Sequence, residues 1–568
     1  MVKQTLKNIW VLRQLLVVVL APFFLLPIVF AVEGKESKCA YIIFVMAIFW
    51  ITEALPIAVT ALLPVVLFPV VGIMNAKDIS TAYVNDTSML FVGGLILAHA
   101  IEHWNIHKLF ALRVLLWFGS EPHWLMLGMM IPTWFLSMWM SNTATAVMML
   151  PIANAVLLQL QNIHSIDQGT HEEDVDQSDP DSKSVVIASE QASNESDNGL
   201  DQEAYMYDDE QHLNLCKALS MSICYAANIG GIATLTGTGV NVIMKGQSDL
   251  IFQKYDVDNP ITFATWMQFG VPIATILLFM AWTWLVIYFL GLSSICRRQP
   301  REISNRIRKV LRREYEELGS ITFAQGAVIG HFITMSTLWI TRDLGGVGGW
   351  KDLFPEKTVS DSTSCILVSC SLFFFPANLP EILRCGMGGT LKYQPLLSWK
   401  SAERNISWGI IWLFGGGFAL AKGSQETGLS DWIGEQLSVF SGLEIWVLNL
   451  ILCYIVAAFT EVTSNSATAT LILPIVIQLG LKLEVNPLYV TLPVTIAASI
   501  SFMLPVATPP NAVVFSYGYI TVIDMIKTGL PMNIVPIPIV VLLTEFLGNS
   551  IFDLKTFPTE FRNATISV

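Results

Sequence analysis

The chain has 568 residues, of which 53% are hydrophobic and only 14% are charged. Soluble domains carry about 25% charged residues, so this composition excludes an ordinary soluble protein and favours bilayer-spanning segments. The formal net charge of −13 comes from one segment, because residues 161–212 hold 15 Asp and Glu against one Lys. The rest of the chain is close to neutral, and the overall acidity is therefore no sign of a cationic substrate.

The first apolar run, Leu15–Val32, follows Lys3, Lys7 and Arg13 and ends without a small-residue cleavage site. This pattern predicts a retained helix with the N-terminus in the cytoplasm. Apolar runs of bilayer length recur along the chain and, with shorter runs, predict an all-α polytopic membrane protein with about 11 transmembrane helices and some re-entrant segments. The other long runs are Cys39–Phe68, Trp124–Leu150, Phe263–Leu290, Ser407–Ala421, Trp446–Val476, Tyr489–Phe515 and Ile534–Leu547.

A twelve-residue pattern occurs twice, at Ser141–Ile152 and at Ser464–Ile475. Eight of the twelve positions are identical at a constant offset of 323 residues, and Ser137 and Thr460 extend the pairing upstream. Small polar residues also line ordinary contacts between membrane helices. Their duplication at matching places in apolar surroundings favours two related half-sites that face one polar ligand, which makes the chain a transporter candidate.

Two segments differ from the apolar body. Residues 161–212 combine high charge with few large apolar side chains, and they predict an acidic, disordered cytoplasmic loop, a solvated spacer rather than a regulatory element. Arg297–Arg313 carries eight Lys or Arg against one acid, Glu302. Such a cluster beside an apolar run marks the cytoplasmic side, so residues 297–320 are expected to form a basic cytoplasmic segment.

A second motif, T-x-x-N, follows each copy of the first, at Thr238–Asn241 and Thr508–Asn511. The spacing between the two motifs is 99 residues in the first half and 46 in the second, and the difference of 53 nearly equals the 52 residues of the acidic loop. Each half therefore carries the same motif pair, and Asn241 and Asn511 are expected to support the site. Glycine or proline at membrane depth predicts a broken helix, whose freed backbone groups need a polar environment.

The chemistry of these motifs suits a cation and an anion together. Hydroxyl and carboxamide oxygens are hard ligands that fit sodium better than a soft metal. The carbonyl end of a half-helix attracts a cation and the amide end an anion. No Lys or Arg lies within either motif pair, and Lys245 and Lys422 are the nearest. We therefore expect co-bound sodium ions to supply the positive charge for an anionic substrate, which couples the two flows.

Other chemistry is not indicated. The sequence has no P-loop, HExxH or GxSxG motif, so no enzyme is expected. The eight cysteines form no CxxC pair or His/Cys cluster, which predicts no metal cofactor and no disulfide framework, and no nucleic-acid partner is expected. Glu53 and Glu461 are acids in apolar surroundings and hence candidate functional residues, although a helix end or a nearby Lys explains each more simply.

Five segments are characteristic of a known family: Trp50–Pro56, Trp104–Lys108, Ser137–Thr143, Gly415–Gly423 and Leu504–Ala512. With them the chain resembles the divalent anion:sodium symporters, solute carrier family 13, over nearly its whole length. The family includes sodium-coupled dicarboxylate, citrate and sulfate transporters. The resemblance implies eleven transmembrane helices, two re-entrant helical hairpins, an inverted repeat, a scaffold domain and a mobile transport domain. It also implies a homodimer that works by an elevator motion.

The resemblance assigns the regions of the chain as follows. Residues 1–160 would form the N-terminal membrane half with the first hairpin, and residues 213–296 the first unwound helix with the transmembrane helices after it. Residues 321–568 would form the C-terminal membrane half with the second hairpin and the second unwound helix.

Carried over by position, the resemblance also implies two sodium sites and one anion site. The first sodium site would use Ser137, Ser141, Asn142 and Gly237. The second would use Thr460, Ser464, Asn465 and Ala507. Substrate carboxylates would meet Asn142, Thr143, Thr238, Asn465, Ser466 and Thr508.

The subtype is less sharply defined. Thr508 resembles the carboxylate branch, whereas the sulfate branch tends to have Asn there. Gly409 and Gly239 resemble the citrate transporter, and Gly409 is a candidate supporting residue; dicarboxylate relatives tend to carry Asn and Ala at these positions. Val240 and Ser466 depart from the carboxylate branch, which usually has Pro and Val. The preferred anion therefore stays open.

Together these features predict a sodium-coupled symporter that imports citrate and/or C4 dicarboxylates (succinate, malate) across the plasma membrane. The alternatives are a sodium-coupled sulfate transporter and, from a different class, an anion channel. With the N-terminus in the cytoplasm, an odd number of crossings puts the C-terminus outside, where the sequon at Asn563 would be glycosylated.

Overall fold

A computed structural model describes the chain at residues 12–31, 34–118, 121–167, 199–291, 301–343, 348–378, 393–437, 442–558 and 561. Within these residues the structure is helical and contains no β-strand, only an isolated bridge between Pro376 and Pro395. The predicted all-α class is thus confirmed for this part of the chain.

Prolines mark several helix starts in the first part of the chain. Pro27 opens α2 and Pro64 lies in the first turn of α5, where a missing N–H costs no helical hydrogen bond. The helices are α1 (Arg13–Leu25), α2 (Pro27–Ala31), α3 (Lys35–Thr52), α4 (Ile57–Ala61), α5 (Leu63–Val71), α6 (Ala76–Thr81), α7 (Asp86–His103), α8 (Ile106–Phe118), α9 (Pro122–Ser137), α10 (Asn142–Asp167), α11 (Gly199–Ile232), α12 (Gly239–Lys254) and α13 (Phe263–Leu285).

The second part of the chain begins with the basic segment. There α14 carries Arg312–Glu316 and Arg313–Glu317 ion pairs at 2.9 and 3.1 Å along its exposed face. The helices are α14 (Arg301–Glu317), α15 (Phe323–Arg342), α16 (Asp361–Ser371), α17 (Trp399–Asn405), α18 (Trp408–Glu426), α19 (Leu429–Leu437), α20 (Ile445–Thr460), α21 (Asn465–Lys482), α22 (Pro487–Ala497), α23 (Pro509–Ser516), α24 (Val522–Ile534), α25 (Pro536–Leu543) and α26 (Asn549–Phe552).

Six helical stretches of the described residues are long and apolar enough to cross a membrane, and α17 with α18, bent by 63°, makes a seventh if the pair is one span. Shorter apolar helices lie at Ile57–Val71, Asn142–Leu157, Ile445–Thr460 and Pro487–Ala497. Several of these shorter helices end at the breaks where the duplicated motifs lie. The total of about 11 crossings stays a prediction.

Four breaks interrupt the helices, and the duplicated motifs lie at them. Residues 138–141 separate α9 from α10, and residues 461–464 separate α20 from α21; residues 233–238 separate α11 from α12, and residues 498–508 separate α22 from α23. The two halves interlock, because α12 packs against α21 and α22, while α23 packs against α10 and α11. The motif-bearing breaks of both halves are thereby brought together.

Helix also extends into both ends of the predicted acidic loop. The helix α10 continues to Asp167 and α11 begins at Gly199, whereas residues 168–198 lie outside the described part of the chain. Asn563, the predicted glycosylation site, lies outside the described residues as well.

Candidate functional site

In the first half, three oxygen atoms meet beside the break between α9 and α10. Ser137 Oγ lies 2.8 Å from Asn142 Oδ1 and 2.6 Å from the carbonyl oxygen of Ala227. A hydroxyl has one proton, whereas the other two oxygens only accept. Because Ser137 is completely buried, this cluster has two close oxygen–oxygen contacts and a single proton to satisfy them.

The second half repeats the arrangement beside the break between α20 and α21. Thr460 Oγ1 lies 2.7 Å from Asn465 Oδ1 and 3.0 Å from the carbonyl oxygen of Ala498. Ser501 Oγ joins the cluster at 3.1 Å from Asn465 Oδ1. Two hydroxyl protons therefore serve three close contacts, so this cluster is also rich in acceptors.

The alanines that complete the two clusters belong to a further duplication that the sequence analysis missed. Ala226–Ile229 reads A-A-N-I and lies just before the break between α11 and α12. Ala497–Ile500 reads A-A-S-I and begins at the last residue of α22, where the other break starts. The repeat is visible in the sequence, but the first half has one residue more between this segment and its T-x-x-N motif. A comparison of the two halves at one constant offset therefore does not align both features.

The two T-x-x-N asparagines hold the broken backbone in the same way. Asn241 Nδ2 donates to the carbonyls of Gly231 at 3.0 Å and Thr234 at 2.7 Å. Asn511 Nδ2 donates to Ser501 at 3.2 Å and Leu504 at 2.9 Å, which are equivalent positions. Both asparagines are completely buried, and each satisfies carbonyls that the helix break has freed.

The threonines of these motifs have the same backbone geometry. Thr238 has φ −141° and ψ 149°, and Thr508 has φ −140° and ψ 149°; neither hydroxyl caps the helix that follows. The side chains are therefore available for other contacts.

One cavity of about 770 Å³ reaches all four breaks. Behind its wall lie Ser137, Thr460, Asn241 and Asn511, which are completely buried. The other predicted sodium and substrate residues line it: Ser141, Asn142, Thr143, Gly237, Thr238, Gly409, Ser464, Asn465, Ser466, Ala507 and Thr508. The structure thus brings the predicted residues of both halves to one cavity.

No Lys or Arg is among the described residues that line this cavity, although His99 is. The two lysines nearest the motifs contact other groups: Lys245 pairs with Asp249, and Lys422 Nζ lies 3.4 Å from the carbonyl oxygen of Asp78. Glu53 also lines the cavity. The hydrogen bond described for it is made by its backbone oxygen, which accepts from Gln14, and so does not reach a motif residue.

Glu461 has a role that the sequence did not predict. Its buried carboxylate accepts from the backbone amides of Phe502 at 2.8 Å, Met503 at 3.0 Å and Leu504 at 3.0 Å, and from the side chain of Asn533. It therefore holds the second broken segment. The equivalent position at the 323-residue offset is Met138, so the first half lacks this carboxylate.

Asn228 was not singled out by the sequence either. It is 1% exposed, belongs to the wall of the cavity and contacts residues of both halves. It lies in the repeated segment Ala226–Ile229, but the repeat does not mark it as special, because its counterpart in the second half is Ser499 rather than a second asparagine.

Comparison with known proteins identifies the family. The sequence model described as "Sodium:sulfate symporter transmembrane region" matches residues 7–554. The chain is 40% identical to the Na(+)/citrate cotransporter of Rattus norvegicus, 42% identical to solute carrier family 13 member 2 of Oryctolagus cuniculus and 40% identical to Na(+)/dicarboxylate cotransporter 3 of Mus musculus. These alignments cover 96–98% of this chain and 96% of each relative. The chain is a multi-pass membrane protein that belongs to the divalent anion:sodium symporter family, solute carrier family 13.

Proposed function

We propose that this protein is a sodium-coupled secondary active symporter that imports citrate and/or C4 dicarboxylates such as succinate and malate. Two relatives that are 40% identical over nearly the full length have sodium with citrate or dicarboxylate in their names. The observation that carries the proposal is the pair of acceptor-rich oxygen clusters beside one cavity without Lys or Arg.

Sodium ions complete these clusters. A cation replaces the missing protons between oxygens that only accept, and oxygen ligands suit a hard ion. We assign the first ion to Ser137, Ser141, Asn142 and Gly237. We assign the second to Thr460, Ser464, Asn465 and Ala507.

The anion binds between the two ions. Four helices, α10, α12, α21 and α23, begin at residues on or next to the cavity wall. Their N-termini direct partial positive charge and free amides to the cavity, which stabilises carboxylates. Sodium adds the remaining charge, so anion binding depends on bound sodium and transport is coupled. The carboxylate contacts assigned to this chain are Asn142, Thr143, Thr238, Asn465, Ser466 and Thr508.

Transport follows an elevator motion of a homodimer in the plasma membrane. The interlocked block of α9–α12 and α20–α23 carries both half-sites and is the candidate for the moving domain. The positive-inside rule supports a cytoplasmic side for Arg297–Arg313 and, through Lys3, Lys7 and Arg13, a cytoplasmic N-terminus. The C-terminus with Asn563 is then extracellular and open to glycosylation.

Uptake of radiolabelled citrate and succinate, measured in sodium and in choline medium, tests the proposal. We expect uptake of at least one anion in sodium and loss of that uptake in choline. Equal uptake in both media would overturn the coupling, and a sodium-dependent uptake of sulfate alone would assign the chain to the alternative that the family description includes. Net anion current without sodium would indicate an anion channel instead.

A further inference from the structure

Asn228 lies near the end of α11, between the two halves of the site. Its Nδ2 donates to Thr508 Oγ1 at 3.3 Å and to Asn511 Oδ1 at 3.2 Å, and its Oδ1 accepts from Asn142 Nδ2 at 3.5 Å. One buried side chain therefore contacts Asn142 of the first half and both Thr508 and Asn511 of the second.

The surrounding hydrogen bonds fix the direction of the Asn228 amide. Asn511 Nδ2 donates to two carbonyls, of Ser501 and Leu504, so Asn511 Oδ1 is the atom that faces Asn228 and accepts. Asn228 must then present its two N–H groups to Asn511 and Thr508. Because Thr508 Oγ1 accepts one of them, its own proton can point into the cavity and bind a carboxylate oxygen.

The reverse bridge, from the second half to the first, is missing among the described residues. The duplication of Ala226–Ile229 at Ala497–Ile500 places Ser499 opposite Asn228. Ser499 Oγ and Asn241 Oδ1, the counterparts of the Asn228–Asn511 pair, are both buried without a hydrogen-bond partner in that part of the chain. The serine side chain is shorter and lacks the amide group of asparagine, and the Ser499 hydroxyl makes no hydrogen bond to Asn241. The bridge is therefore a one-sided addition to a duplicated site.

We infer that Asn228 is a positioning residue that couples the two half-sites, by holding Thr508 ready for the anion when sodium holds Asn142. The inference rests on the proposed function and names a residue that makes the two halves act together. Sodium that fixes Asn142 also fixes Asn228, and through it Thr508 and Asn511. The later binding step then pays less ordering entropy, which is positive coupling between two sites.

Asn228→Ser tests the coupling, because it gives the first half the residue that the second half already has. In uptake of radiolabelled citrate or succinate, we expect the KM to rise about two- to tenfold, as for one or two lost hydrogen bonds. The Hill coefficient for sodium should fall toward one, while maximal uptake per surface copy is kept. Ser222→Ala is the matched control, since Ser222 is buried on the same helix and donates to Leu219 O of its own turn at 2.8 Å; it should change neither value.

A double-mutant cycle separates coupling from general damage. Thr508→Val and Asn228→Ser remove the same hydrogen bond. The KM of the double variant should therefore rise by a smaller factor than the product of the two single-variant factors. Independent, multiplicative effects would overturn the inference.

Failure of the inference is distinct from failure of the proposed function. If the wild type takes up neither citrate nor succinate with sodium, the proposed function fails. If the wild type is active, and Asn228→Ser at normal surface level keeps its KM and Hill coefficient, only the inference fails. Should Asn228→Ser not reach the surface, Ser499→Asn replaces it: a second bridge to Asn241 should lower the half-maximal sodium concentration about twofold or more, and an unchanged value would reject the coupling.

Discussion

The hydroxyl oxygen of Thr460 lies 2.7 Å from Asn465 Oδ1 across the break between α20 and α21. Ser137 and Asn142 repeat this contact at 2.8 Å in the other half, 323 residues earlier. In both places the hydroxyl also faces a backbone carbonyl, so acceptors outnumber protons. The hydroxyl is thus the atom whose removal should weaken a cation site without disturbing the helices around it.

Thr460→Val keeps the shape of the side chain and removes the hydroxyl. We expect the sodium concentration for half-maximal uptake to rise about fivefold or more, equivalent to roughly 1 kcal/mol for one lost ligand. Thr460→Ser keeps the hydroxyl and should stay within about twofold of the wild type. Sodium-dependence curves of uptake, normalised to surface protein, measure the difference, and identical curves for the two variants would show that the hydroxyl is no ligand.

Glu461→Gln removes the charge that holds the second broken segment. A neutral amide keeps one acceptor and turns an N–H toward backbone amides that need acceptors, so the free energy of unfolding should fall by about 1.5–3 kcal/mol. Thermal unfolding of the detergent-solubilised protein measures this. Glu444→Gln is the control, because Glu444 is an exposed carboxylate at the other end of the same helix, and its effect should stay within about 0.5 kcal/mol. An unchanged melting temperature for Glu461→Gln would rule out the structural role.

The repeat in the sequence predicted which residues meet. Asn142 and Asn465 could be paired because they share an offset, a motif and an apolar setting, and the structure brings both to one cavity. The contacts of Asn228 and Glu461 could not be predicted in this way. They join elements that are distant in the chain and asymmetric between the halves, so neither spacing nor residue type carries the information. Their partners depend on how α11 packs on α23 and on the path of the break after α22.

The number of membrane crossings also could not be predicted from hydropathy. Several apolar helices, such as Pro487–Ala497 and Ile445–Thr460, stop at a break before they reach bilayer length. Hydropathy averages over such breaks and merges the pieces with their neighbours, because the residues of the broken segments are themselves mostly uncharged.

Gly239→Ala tests how closely the halves approach at the cavity. A Cβ at position 239 would lie 2.8 Å from Ser466 Oγ and 3.1 Å from the Phe414 ring, so either the serine or the ring must shift. We expect the KM for citrate to rise more than the KM for the smaller succinate. Ser466→Ala in the same chain removes the closest atom and should recover part of the loss. If the KM of the double variant instead equals the value expected from multiplying the separate effects of Gly239→Ala and Ser466→Ala, the contact does not limit binding.

Asn241→Ala and Asn511→Ala should differ, although the two asparagines occupy equivalent positions. Each variant takes the side-chain donor from two carbonyls, but one of the two, that of Thr234 or Leu504, still accepts from the backbone amide of Gly237 or Ala507. The loss at the other carbonyl, that of Gly231 or Ser501, costs about 1–3 kcal/mol. Asn511 Oδ1 also accepts from Asn228 Nδ2 and from Cys224 Sγ, whereas Asn241 Oδ1 has no described partner. Asn511→Ala therefore strands two donors in addition and should lower the melting temperature further. Thermal unfolding of both variants in the same detergent and sodium concentration compares them, and an equal or larger loss in Asn241→Ala would mean that the contacts to α11 add no stability.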